Sequence, residues 1–85
     1  MGRRACRDRI RRLTGCPEAG ILDVPDVVTH QGEPLHVDCV IGVEWLRVVR
    51  DLAGRWYVGE SLSETDDIEC WECCGPDLGV ALSFW

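Results

Sequence analysis

The sequence predicts an α+β domain, a small antiparallel sheet of three to five strands with a short N-terminal and a short C-terminal helix packed on it. Three observations carry that expectation. Residues 35–50 hold the longest alternation in the chain. Leu35, Val37, Cys39, Ile41, Val43 and Trp45 fall on one parity and His36, Asp38 and Glu44 on the other, the period of a half-buried strand. Turn-forming residues punctuate the apolar runs at 30–34, 51–54 and 75–77. Both ends carry helix signals instead of strand alternation.

Taken in order, residues 3–13 place Ala5, Cys6, Ile10 and Leu13 near an i, i+4, i+7 spacing among arginines, which predicts one short amphipathic helix. Thr14 and Gly15, with Pro17 beyond, supply its stop. Ile21 to Thr29 is rich in β-branched residues, but Pro25 lacks a ladder donor and demotes the segment to an edge strand. His30 to Pro34 then turns the chain into the long alternating stretch.

Beyond Gly42 the apolar positions change parity, to Leu46 and Val48, which a β-bulge at the glycine would explain. Sixteen residues exceed the roughly 3 to 10 of an ordinary strand, so one bent strand or two abutting ones are expected there. Asp51 to Gly54 is a second turn, Arg55 to Glu60 a returning strand, Ser61 to Asp67 an acidic loop and Ile68 to Cys74 the last strand. Gly75 and Pro76 break it, and Asp77 is placed to cap a closing helix.

Eighty-five residues make one domain, which buries only about 60–65% of its unfolded surface. The nine basic residues are all arginine, a bias that a GC-rich bacterial genome produces through its codons. Charge is divided unevenly. Residues 1–16, a basic arm or helix, carry six arginines and one aspartate, net +5. Residues 17–85, the acidic domain, carry three arginines and fourteen carboxylates, net −11. Such a body repels phosphate and favours basic partners, so nucleic acid is disfavoured except through the arm. No apolar run of about 18 residues is present, and the basic N-terminus lacks the apolar stretch of a signal peptide, so a cytoplasmic protein without a membrane span is expected.

The chain holds six cysteines, and in the cytoplasm they would be reduced. Cys70, Cys73 and Cys74, with Cys39 and His36 about thirty residues earlier, have a spacing that tetrahedral zinc tolerates. On strands, however, the members of each pair point to opposite faces, so buried thiols behaving as small hydrophobes are the preferred reading. Redox chemistry at Cys70 and Cys73 is disfavoured because neither flank reads as a helix N-terminus and Glu69 and Glu72 stand beside them. The carboxylates around residues 61–67 lack the ordered spacing of a calcium loop. Neither His30 nor His36 adjoins a nucleophile turn, and no phosphate-binding glycine loop is present, so no enzyme is expected.

These features predict a non-catalytic interaction or regulatory module: a small acidic protein, antitoxin-like or an accessory subunit, that binds a protein with a basic surface. The residues assigned to that contact are Asp66, Asp67, Glu69, Glu72 and Trp85. No cofactor is expected on this reading. Two alternatives stand beside it: a zinc-stabilised module on Cys70, Cys73, Cys74, Cys39 and His36, and a nucleic-acid accessory that uses the arginine arm. A small homo-oligomer is compatible with the first.

Overall fold

The structure is a computed structural model that describes residues 10–12, 14–16, 18–62 and 67–84. Its strands are β1 (Gly20–Leu22), β2 (Val28–His30), β3 (Glu33–Pro34), β4 (Val37–Val43), β5 (Leu46–Asp51), β6 (Trp56–Ser61) and β7 (Ile68–Gly75), followed by α1 (Leu78–Leu82). All seven join in one sheet of order β1-β4-β5-β6-β7-β2-β3, antiparallel except where β2 runs parallel to β7. Strands make up 51% of the structure, and the sheet curls into a half-barrel.

The predicted α+β class, with three to five antiparallel strands, is therefore overturned. The edge strand expected over Ile21 to Thr29 is split around Pro25 into β1 at the sheet edge and β2 inside it, and β3 is added; each has two or three residues, too short to express any period. The helix expected over residues 3–13 lies largely outside the described residues, of which Ile10 to Arg12 and Thr14 are helical, and α1 has five residues. The expected stop and cap are nevertheless in place: Gly15 N–H donates to the Arg11 carbonyl at 2.8 Å, and Asp77 Oδ1 accepts from Gly79 N at 2.8 Å.

The stretch 35–50 is a hairpin. A two-residue turn, Glu44–Trp45, pairs Val43 with Leu46, so apolar partners on one face stand three positions apart, which produces the parity change without a bulge at Gly42. Glu44 takes φ 53° to close the turn. A register shift does occur on this strand, between Val37 and Cys39. It sends Leu35 and Val37 to one side of the sheet and Cys39, Ile41 and Val43 to the other, although all five share a parity in the sequence. The turn at 30–34 joins β2 to β3 through Gln31 and Gly32, both at positive φ, as a tight hairpin requires.

Both sheet faces carry apolar cores. On the helix face, Ile41, Val43, Leu46, Val48, Trp56 and Val58 are covered by Ile10, Cys16 and Ala19 from the N-terminal segment and by Ala81 and Leu82 of α1. On the opposite face, Val28, Val40, Val49, Tyr57, Ile68 and Cys70 pack with Leu35 and Val37. Gly59 permits the close approach of β6 to β7 at a bulge, since a Cβ there would overlap the Glu69 carbonyl. Among the described residues, no helix is long and apolar enough to cross a membrane.

Candidate functional site

The site begins with the register between β6 and β7. Glu60 stands directly opposite Glu69, and Val58 opposite Glu72. Opposed residues project to the same side of a sheet, as do residues two apart on one strand. Glu60, Glu69 and Glu72 thus share the helix face, at the margin that α1 and the N-terminal segment leave uncovered, and all three are exposed. None of them makes an ion pair among the described residues.

Two register shifts in this strand pair leave Trp71 and Cys74 without direct partners on β6. The first turns Trp71 out of the regular alternation, between the two glutamates. Its ring meets Phe84, just beyond α1, edge-on at 6.2 Å with an interplanar angle of 61°. Trp71, Phe84 and Val80 stay 43%, 42% and 47% exposed. An aromatic pair framed by carboxylates therefore occupies the outer surface of the last strand.

Of the residues assigned to partner contact from sequence, Glu69 and Glu72 lie on this surface. Asp67 lies just before β7, its carbonyl accepting from Leu62 N at 2.8 Å, and Asp66 and Trp85 fall outside the described residues. The polar positions of the long stretch do not join them. Two strands separate β4 from β7, and Asp38 is held by Arg50 through bonds of 3.0 and 3.1 Å. Trp71 and Phe84 were not singled out by sequence because a bulge decides where Trp71 points. Glu60 was one more carboxylate of an acidic stretch until its register was known.

The alternative zinc ligands are dispersed. Cys70 is buried on the face opposite the helices, where burial pushes its thiol pKa up to about 12. Cys74 packs against the helix-face core, its pKa raised by burial and then by the charges of Glu72 and Cys73. Cys39 touches that same core from β4, Cys73 is exposed, and His36 lines a groove with Leu35, Val37 and Leu52. Among the described residues, no three His, Cys, Asp or Glu side chains come together as a metal site would require. A thiol held in its protonated form is also a poor redox nucleophile.

Among the described residues one carboxylate is buried. Asp51 accepts from Ala53 N at 2.9 Å, Arg55 N at 2.9 Å, Arg55 Nε at 3.1 Å and the Tyr57 hydroxyl at 3.1 Å. Burial by itself would raise its pKa. The bonds from Arg55, Tyr57 and Ala53 and the Arg55 charge outweigh that and leave it below the ordinary carboxylate value. Burial, then the bond to Asp51, pushes Tyr57 to about 12. With its acceptor positions filled by the turn that it closes, Asp51 acts as a clip between β5 and β6.

The chain matches no protein-family model, no curated protein and no solved structure.

Proposed function

We propose that the protein is a non-catalytic interaction module that binds a protein partner through the outer surface of β7, and that the partner presents a basic surface. One observation carries this reading: three exposed carboxylates, Glu60, Glu69 and Glu72, surround an exposed aromatic pair and have no cation of their own among the described residues. Directly opposed carboxylates on neighbouring strands cost a fold tenths of a kcal/mol, and arginines or lysines from a partner would relieve that repulsion. Trp71 and Phe84 supply large apolar area with few rotatable bonds, as interface anchors do, while the acidic rim steers encounter. The net charge of −6 favours the same class of partner. Cytoplasmic residence, where thiols stay reduced, fits this role.

The test is comparative capture from an extract of the native host. Wild-type protein, E60Q/E69Q/E72Q and Trp71→Ala are immobilised side by side at about 50 mM salt. A basic protein held by the wild type, lost from both variants and released by about 500 mM salt is the expected result. Equal retention by wild type and the triple variant, or retention indifferent to salt, removes this surface from the function.

A further inference from the structure

We infer that the sheet face opposite the helices carries a binding site for a small monocarboxylate with an apolar tail, centred on Arg47. A groove of about 310 Å³ opens there, with Val40 and Ile68 on its apolar surface, Leu22, Val24 and Pro25 along one side, and Ser61 and Arg47 as polar groups. That volume is at the lower end of small-molecule sites, which commonly join an apolar lining to a few placed polar groups.

Arg47 is set into this groove by the register of three strands. It stands opposite Gly42 on β4 and opposite Gly59 on β6, so neither neighbour projects a side chain across the guanidinium. The side chain is half-buried and anchored on one side only, Nη1 donating to the carbonyls of Glu44 and Leu46. Its other N–H groups have no partner among the described residues, and it makes no ion pair there, although Asp23 also lines the groove. A half-buried cation held in place yet unneutralised accepts a carboxylate with little reorganisation, and the guanidinium plane can meet both oxygens.

The charge and size of the ligand follow from the same features. One guanidinium matches one negative charge, while a chain of net −6 and the nearby Asp23 penalise phosphates and dicarboxylates. The remaining surface of Val40, Ile68, Leu22 and Val24 calls for an aliphatic or aryl tail of a few carbons. The site is independent of the β7 surface, which lies on the other side of the sheet.

Hexanoate is the probe. Titration followed by ¹H–¹⁵N spectra of the full chain is expected to give saturable shifts at the amides of Val40, Arg47 and Ile68. Hexanol, matched in length but uncharged, should bind at least tenfold more weakly. Arg47→Gln should weaken hexanoate at least tenfold, and Arg47→Lys, which keeps the charge, should restore part of it. Thermal melting of both variants confirms that they are folded. Asp23→Asn should tighten hexanoate by removing a like charge. Equal affinity for hexanol and hexanoate, hexanoate binding that Arg47→Gln leaves unchanged, or shifts that never saturate would each overturn the assignment.

Discussion

The two faces of this sheet are built from alternate residues of the same strands, yet they are finished differently. The helix face is closed by segments from both ends of the chain, and Ile10, Ile41, Val43, Leu46, Val48 and Val58 are fully buried there. The other face is bordered by the connection from β1 to β2, whose Val24 and Val27 remain nearly half exposed. Grooves of about 310 and 280 Å³ open on either side of Val24 and Pro25. Buried polar groups follow the same division. Asp51, Tyr57 and Arg47 belong to the open face, whereas the helix-face core is apolar throughout. Val40, Val49 and Cys70 are fully buried on the open face as well, so the faces differ in covering: segments from both ends of the chain close one, while grooves and a buried carboxylate mark the other.

Matched truncations test that division most strongly. Ile41→Ala on the helix face should cost about 3–4 kcal/mol, because its neighbours come from separate elements and cannot collapse together. Ile68→Ala, beside a groove, should cost about 2 kcal/mol, because the lost volume merges with existing space. Ile10→Ala should resemble Ile41→Ala, making the end of the basic segment part of the core. Urea denaturation measures all three, and a reversed order of Ile41 and Ile68 would break the comparison.

Titration gives the next effect and reads the buried polar cluster of the open face. Asp51 has a lowered folded pKa, so its stabilisation is present above the ordinary value of 3.8 and is lost as pH falls through the folded value. Tyr57 has a raised one. Its stabilisation is complete below 10 and is lost as pH rises from 10 to about 12. Asp51→Asn should cost about 1–3 kcal/mol at neutral pH and flatten the acid limb of the stability profile. Tyr57→Phe should flatten part of the alkaline limb, leaving the share due to Cys70 and Cys74. Acid and alkaline limbs identical to wild type in both variants would show that the buried cluster does not govern either.

The smallest effect belongs to the exposed margin. E60Q/E69Q/E72Q should raise stability by a few tenths of a kcal/mol, as removal of an unrelieved repulsion predicts. A loss of 1 kcal/mol or more in thermal or urea unfolding would mean that these carboxylates have structural partners.

How much of this was legible in the sequence depended on the length of the segment. The returning strand after Gly54, the last strand, the stop at Gly15 and the cap at Asp77 all lie where local patterning placed them. The fold class failed because β1 and β2 owe their existence to partners far away in the chain, with β3 following as the short return of a hairpin on β2, and because the Glu44–Trp45 turn contains neither glycine nor proline to mark it. Glu69 and Glu72 were visible as charge. The Trp71–Phe84 pair and the isolation of Arg47 between two glycines were not, since both follow from register, and a bulge or a two-residue turn shifts register without changing composition.

The single parallel pairing has a kinetic meaning. The antiparallel meander β4-β5-β6-β7 can assemble hairpin by hairpin from neighbouring stretches of chain. By contrast, β2 must find β7 across forty residues, Val28 against Ile68, and it has no place to dock until the last strand exists. Loop-closure entropy places that step late in folding. Substitutions at Val28 should therefore act mainly on the unfolding rate, while those in the meander slow folding itself.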